Sequence, residues 1–114
     1  MSEEAREAFD AVCDGQLLLH PEDVAGRMFG CPGLRLAGGP FYTFAKADKE
    51  TGMIHVAVKL PADRVTEIIA SGAGVPCAPH PDRPMREWVF LVDADEDTLT
   101  EHVRESRAFL ESLA

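Results

Sequence analysis

The chain has no stretch of about eighteen consecutive apolar residues, the length a membrane-crossing helix needs, and its first residues, Met1-Ser2-Glu3-Glu4, are acidic rather than basic-then-apolar. A signal or transit peptide reads differently, so the expectation is a soluble, cytoplasmic protein. Cysteine is scarce: Cys13, Cys31 and Cys77 make an odd count without the regular spacing of a disulfide framework, and they read as reduced thiols. Positive charge is scarce too. Eleven Lys and Arg stand against twenty Asp and Glu, a net charge of −9. That balance opposes nonspecific binding to DNA or RNA, which relies on cations neutralising phosphates. Internal repeats, low-complexity segments and interdomain linkers are missing, as is any complete catalytic or metal motif. The glycines between Gly26 and Gly33 match neither the dinucleotide-binding nor the P-loop pattern, since no Gly-Lys-Ser/Thr follows. A strand entry with a tight bend accounts for them, with Arg27 paired to a helix carboxylate.

What is present is ordinary globular material, 46% apolar and 27% charged in 114 residues, the size of one domain spanning 1–114 with one core. The organising stretch is Arg27 to Leu60: three short apolar runs separated by Gly38-Gly39 and by Asp48-Lys49-Glu50-Thr51-Gly52. This punctuation predicts a three-stranded antiparallel meander. The second strand covers Phe41 to Ala47; strict alternation places Tyr42, Phe44 and Lys46 on one side and Phe41, Thr43 and Ala45 on the other. The third covers Met53 to Leu60, with Ile54, Val56, Val58 and Leu60 toward the core and Met53, His55, Ala57 and Lys59 away from it.

Helices flank this meander. Residues 2–14 carry Ala5, Ala8, Phe9, Val12 and Cys13 at helical spacing, with Gly15 as the stop, which makes Cys13 core filler. Leu17-Leu18-Leu19 require burial, and Pro21 can open a short helical turn. Pro61-Ala62-Asp63 opens a second helix buried along Val65, Ile68 and Ile69 and closed by Ser71-Gly72. Gly72 to Met85, with four prolines, reads as a long loop. Arg86 to Asp93 is a fourth strand, apolar on both faces and so interior to the sheet, with Trp88, Phe90 and Val92 on one of them. The last helix turns Leu99, Val103, Leu110 and Leu113 inward, beside Phe109. The order α-β-β-β-α-β-α predicts an α+β fold of two layers: a mainly antiparallel sheet with the helices on one face.

At Gly26-Arg27-Met28-Phe29-Gly30, then Gly33-Leu34, then Phe41 and Phe44, the sequence resembles the N-terminal domain of the TfoX family, whose founding member regulates bacterial competence. The run from Gly72 to Arg86-Glu87-Trp88-Val89 and into the last helix is similar to the MmcQ/YjbR family. The resemblance spans about residues 24–114, although Cys31-Pro32 stands where TfoX-like sequences carry Gly and an aromatic. It implies a small α+β fold similar to that of type III secretion chaperones and supplies no catalytic residues. The YjbR side implies DNA binding, which the acidic balance opposes.

Three groups of residues are candidates for function. If strand parity holds, Arg35, Tyr42, Lys46, His55 and Lys59 share the sheet face turned away from the helices, a basic and partly aromatic surface suited to an anionic ligand, a single strand of nucleic acid or an acidic partner. The competing readings of that face are a solvated surface and a homodimer interface through Met53, Ala57 and Phe44. The proline-rich loop brings Cys77 and His80 three apart, with Arg83 and Arg86 nearby. A zinc ion wants four ligands and a thiol nucleophile wants a lowered pKa, a base and an oxyanion hole; the loop offers only the residue types. His102 and Ser106, four apart on the last helix, lack a third partner and read as surface residues. The expected function is a non-catalytic interaction or regulatory domain, without cofactor or metal, binding a protein partner that includes a second copy of itself. The alternative is a small-molecule or metal-binding domain, with or without catalysis, that uses the basic face and the loop.

Overall fold

The computed structural model describes residues 2–28, 30–47, 53–77, 85–92 and 94–113. The elements are α1 (Ser2–Leu19), β1 (Val24–Met28), β2 (Cys31–Arg35), β3 (Phe41–Ala47), β4 (Ile54–Lys59), α2 (Ala62–Ala70), β5 (Gly74–Pro76), β6 (Trp88–Leu91) and α3 (Glu96–Leu113). The six strands form one open antiparallel sheet in the order β1-β2-β3-β4-β6-β5, and the three helices pack on one face. The α+β class, the helix layer and the interior position of β6 are as the sequence predicts.

Two strands were hidden in segments that read as irregular. β1 is the outer arm of a hairpin with β2; beside its turn Gly30 has φ 77° and the Arg27 guanidinium donates to the Gly30 carbonyl at 2.8 Å. Arg27 therefore closes a turn instead of pairing with a helix carboxylate. β5 begins the segment after α2 that reads as loop, and it forms the far edge of the sheet. Its Gly74 lies so close beneath α2 that a Cβ there would come within 2.8 Å of Ile68 Cγ2 and 2.6 Å of Val89 Cγ2. The helix rests directly on backbone.

α1 runs on through Gly15 because its apolar stripe does: Gln16 and Leu17 continue the spacing of Phe9, Val12 and Cys13, and packing outweighs the glycine's poor propensity. The continuation turns Leu18 and Leu19 outward, 84% and 56% exposed, against the expectation that all three leucines are buried. Leu113 is 64% exposed, since α3 overhangs the core by its last turn. α2 ends in a Schellman arrangement, with Ala73 N–H donating to Ile68 O, Gly72 N–H to Ile69 O, and Gly72 at φ 85°. α3 starts from Asp95, whose carboxylate accepts the Thr98 N–H at 2.8 Å; this bond holds the Asp95 carboxyl below its usual range.

Between sheet and helices lies the main core, built on Phe9, Val12, Leu34, Tyr42, Val56, Val58, Leu60, Val89, Leu91, Leu99, Val103 and Leu110. Cys13 packs against its margin, and burial, with help from the Asp10 and Asp14 charges, pushes its thiol up to about 12. A second, smaller cluster occupies the opposite face: Phe44, Ala57, Cys77 and Trp88, with Met28, Cys31, Phe41, Met85 and Phe90 packed around them.

Candidate interaction site on the open face of the sheet

Opposed residues in an antiparallel pair point to the same side, so register assigns the faces. Lys46 pairs with His55, Phe44 with Ala57, Ala57 with Phe90 and Lys59 with Trp88, and all of these occupy the face away from the helices. Arg35 joins them through its pairing with Phe41. Four of the five residues expected on this face are there.

Tyr42 is not. Leu34 opposes Thr43 but Arg35 opposes Phe41, so Tyr42 is the extra residue of a β-bulge. The bulge breaks the alternation, moving Phe41 to the open face and turning Tyr42 into the core, where it is 0% exposed. Its hydroxyl donates to Asp23 Oδ2 at 2.7 Å. The same carboxylate accepts Arg107 Nε at 2.7 Å and, through Oδ1, Arg107 NH2 at 3.0 Å, while Glu22 and Glu111 flank the guanidinium from the surface. Burial alone would raise the Asp23 pKa; the hydrogen bonds from Arg107 and Tyr42 outweigh it and hold the carboxyl below its ordinary 3.8. Burial and the neighbouring carboxylate push the Tyr42 phenol up, and the Asp23 bonds push Arg107 up. This network locks the bulge to α3. It is structural, with no access for a partner.

Ser106 makes a second tie between α3 and the bulge. It is fully buried, against the expectation of a surface residue, and its hydroxyl donates to Tyr42 O at 2.7 Å while accepting Lys59 N–H at 3.1 Å. The hydroxyl joins the backbones of β3 and β4 beside the bulged residue. His102 is only 12% exposed in its side chain and faces Glu105, which itself takes Arg64 of α2 at 2.8 Å.

The open face is not a bare solvated surface. Cys77, next after β5, is buried on it among Phe44, Ala57 and Trp88, and Met85 N–H donates to Cys77 O at 3.1 Å. Phe44 stacks obliquely on Trp88 at 5.1 Å and meets Phe90 edge-on at 6.1 Å; His55 lies 6.0 Å from Phe90. Phe44 and Ala57 are thus covered at 2% and 0% exposure, which removes two of the three residues expected to form a dimer interface and leaves Met53, 45% exposed. The polar residues form the rim of this cluster: Lys46 is exposed, and Arg35, His55 and Lys59 are half-buried.

Charge is segregated between the layers. The six strands contain no Asp or Glu, whereas they carry Arg27, Arg35, Lys46 and Lys59. All but the turn residue Arg27 lie on the open face, so an acidic protein presents a cationic rim around an aromatic patch.

The loop candidates come out differently. His80 and Arg83 lie outside the described residues. Arg86 is exposed in the turn before β6, beside a hollow lined by Asp63, Val65, Ile69 and Trp88. Burial pushes the Cys77 thiol up to about 11, with the Lys46 charge opposing weakly, which is the reverse of what a nucleophile needs. Among the described residues no three His, Cys, Asp or Glu side chains gather to hold a metal ion, and no helix is long and apolar enough to cross a membrane.

The buried Asp23–Tyr42–Arg107 network escaped the sequence reading because its members lie 19 and 84 residues apart. One signal was available: Ser106 and Arg107 fall on the inward stripe of Leu99, Val103 and Leu110, and polar groups on such a stripe announce buried partners. Comparison with protein-family models, curated proteins and solved structures finds no match for this chain.

Proposed function

We propose that this is a cytoplasmic, non-catalytic interaction domain, related in kind to the TfoX N-terminal domain, that uses the open face of its sheet to hold an acidic protein surface. The observation that carries the reading is the charge segregation: strands free of carboxylates, with Arg35, Lys46, His55 and Lys59 around an aromatic centre. Cations at the rim steer an acidic partner and set its register, and the half-buried Phe41 and Phe90 supply apolar contact beside them. The helical layer of a second copy is itself acidic, so self-association falls within the same chemistry. The three thiols, none of them in a disulfide, fit a reducing compartment.

The test is an amide-resolved NMR titration with a synthetic Glu-rich peptide carrying one aromatic residue, alongside native mass spectrometry of the protein alone at low salt. Binding should shift amides of β3 and β4 around Lys46, His55 and Lys59, and Lys46→Glu with Lys59→Glu should abolish those shifts while leaving the fold unchanged. Binding that survives the double reversal, or shifts confined to the helices, would remove the proposal.

A further inference from the structure

Helix α1 turns a row of acids to solvent. Glu4, Glu7, Ala11, Asp14 and Leu18 recur at helical spacing and are all exposed, on the side opposite the buried Phe9, Val12 and Gln16. The only cation of the helix, Arg6, is taken up at the flank of this row by Asp10 at 3.1 Å, and among the described residues no ion pair holds Glu4, Glu7 or Asp14. Leu18 ends the row as the most exposed large apolar side chain of the described residues. The other helices are acidic in a different form. On α3 Asp97 and Glu101 are likewise without an ion pair, but the exposed Arg104 follows them on the same side one turn on. On α2 Asp63 is the one acid outside the Arg64–Glu67 pair.

The open face of the sheet repeats that order with the opposite sign. On β4, His55 and Lys59 stand four residues apart, about 13 Å along the strand, with Lys46 paired to His55. Ala57, between them, pairs with Phe90, so a half-buried aromatic ring separates the two basic ends. On α1, Glu4 and Asp14 stand about 15 Å apart and Glu7 and Asp14 about 10 Å, with the small Ala11 between. Base, ring, base thus meets acid, alanine, acid over the same length. Ala11 leaves room for the Phe90 ring to meet the helix, and Leu18, one turn past Asp14, extends the contact with apolar surface.

We infer, resting on the open face as a holder of acidic surfaces, that the surface it takes is the outer row of α1 on a second copy of this chain. Lys46, His55 and Lys59 of one copy then meet Glu4, Glu7 and Asp14 of the next. Face and row are different parts of one molecule, so the contact is heterologous: each copy offers one of each, and copies add head to tail. Two chains of net charge −9 repel at a distance. That repulsion is largely screened beyond ~8 Å at physiological ionic strength, whereas groups in contact across an interface are screened much less.

The test is sedimentation velocity over a range of concentrations at physiological salt. The wild-type chain should show an average mass that climbs with concentration beyond that of a dimer. A face variant, Lys46→Glu with Lys59→Glu, and a row variant, Glu4→Gln, Glu7→Gln and Asp14→Asn, should each stay monomeric over the same range. Mixed in equal amounts they should form a one-to-one dimer and nothing larger, because one intact face then meets one intact row. Circular dichroism and the melting transition show that both variants are folded. The row variant keeps its open face and should bind the Glu-rich peptide as the wild type does. A chain that binds the peptide but stays monomeric overturns the self-docking and leaves the open face to another acidic surface; a chain that does neither removes both. Association that survives either variant, or a mixture that stays monomeric while the wild type associates, overturns the head-to-tail contact in favour of a symmetric pairing of like surfaces.

Discussion

Asp23 and Arg107 form a buried ion pair whose value lies in its completeness. Both carboxylate oxygens and the Tyr42 hydroxyl are engaged, so removing one member strands the others. Arg107→Leu should destabilise the protein by about 3–5 kcal/mol, the usual cost of leaving a buried charge without its partner. Urea denaturation measures it, and a loss under about 1 kcal/mol would mean that the pair behaves like a surface one. The pH dependence follows from the direction of the Asp23 shift. Its carboxyl ionises more readily folded than unfolded, so the stability it contributes is fully present above the ordinary 3.8 and is lost as pH falls through the lower folded value. Asp23→Asn should therefore lower stability near neutrality and flatten the remaining acid-side slope. Thiol chemistry offers a further check. With Cys77 pushed up to about 11 and Cys13 to about 12 by burial, both should resist iodoacetamide at neutral pH in the native protein and react on unfolding, as read by mass spectrometry. Rapid native labelling of Cys77 would reopen a catalytic role for it.

Among the elements, β3 shows where sequence reasoning works and where it stops. Its limits, Phe41–Ala47, and the parity of Phe44, Ala45 and Lys46 follow from alternation alone. The parity of Tyr42 and Phe41 does not, because a bulge is set by what the backbone meets across the sheet and not by the pattern within the strand. β1 and β5 were illegible for a different reason. Val24-Ala25-Gly26-Arg27-Met28 and Gly74-Val75-Pro76 have little β-propensity and owe their strand form to a paired neighbour. Both are edges, and Arg27 on one and Pro76 on the other are the residues that blunt edges against further pairing. Close approach is the remaining unseen constraint. Gly74→Ala would force α2 off the sheet, with an expected loss of about 1–3 kcal/mol typical of overpacking, measurable as a lower melting temperature. Gly33→Ala should behave similarly, since its Cβ would run into the Thr43 carbonyl oxygen. Trp88→Ala should cost about 3–5 kcal/mol, as large-to-small changes in a core do; its 6% exposure and its contact with Phe44 place it in the second cluster.

For the molecule as a whole, the net charge of −9 does not describe the open face of the sheet. The strands carry cations and the helices carry the acids, so the layers differ in sign while the total suggests uniform repulsion of anions. Of the candidate face, Arg35, Lys46, His55 and Lys59 were legible because strand parity needs only sequence. Its covering was not, because the packing of Cys77 against Phe44, Ala57 and Trp88 is a tertiary event. Binding at this face should weaken steeply with added salt, since exposed charges separated by more than the ~8 Å Debye length at physiological ionic strength are largely screened. An affinity unchanged between low and physiological salt would point to apolar contact instead.

The tie at Ser106 has one more consequence. The Lys59 amide hydrogen is donated to a hydroxyl on α3. Its exchange with deuterium therefore depends on α3 staying in place, whereas the ladder amides of β4 exchange when the sheet opens. If α3 lifts off without the sheet coming apart, Lys59 will exchange ahead of its neighbours in β4. A single backbone proton then acts as a clock for the motion of one helix.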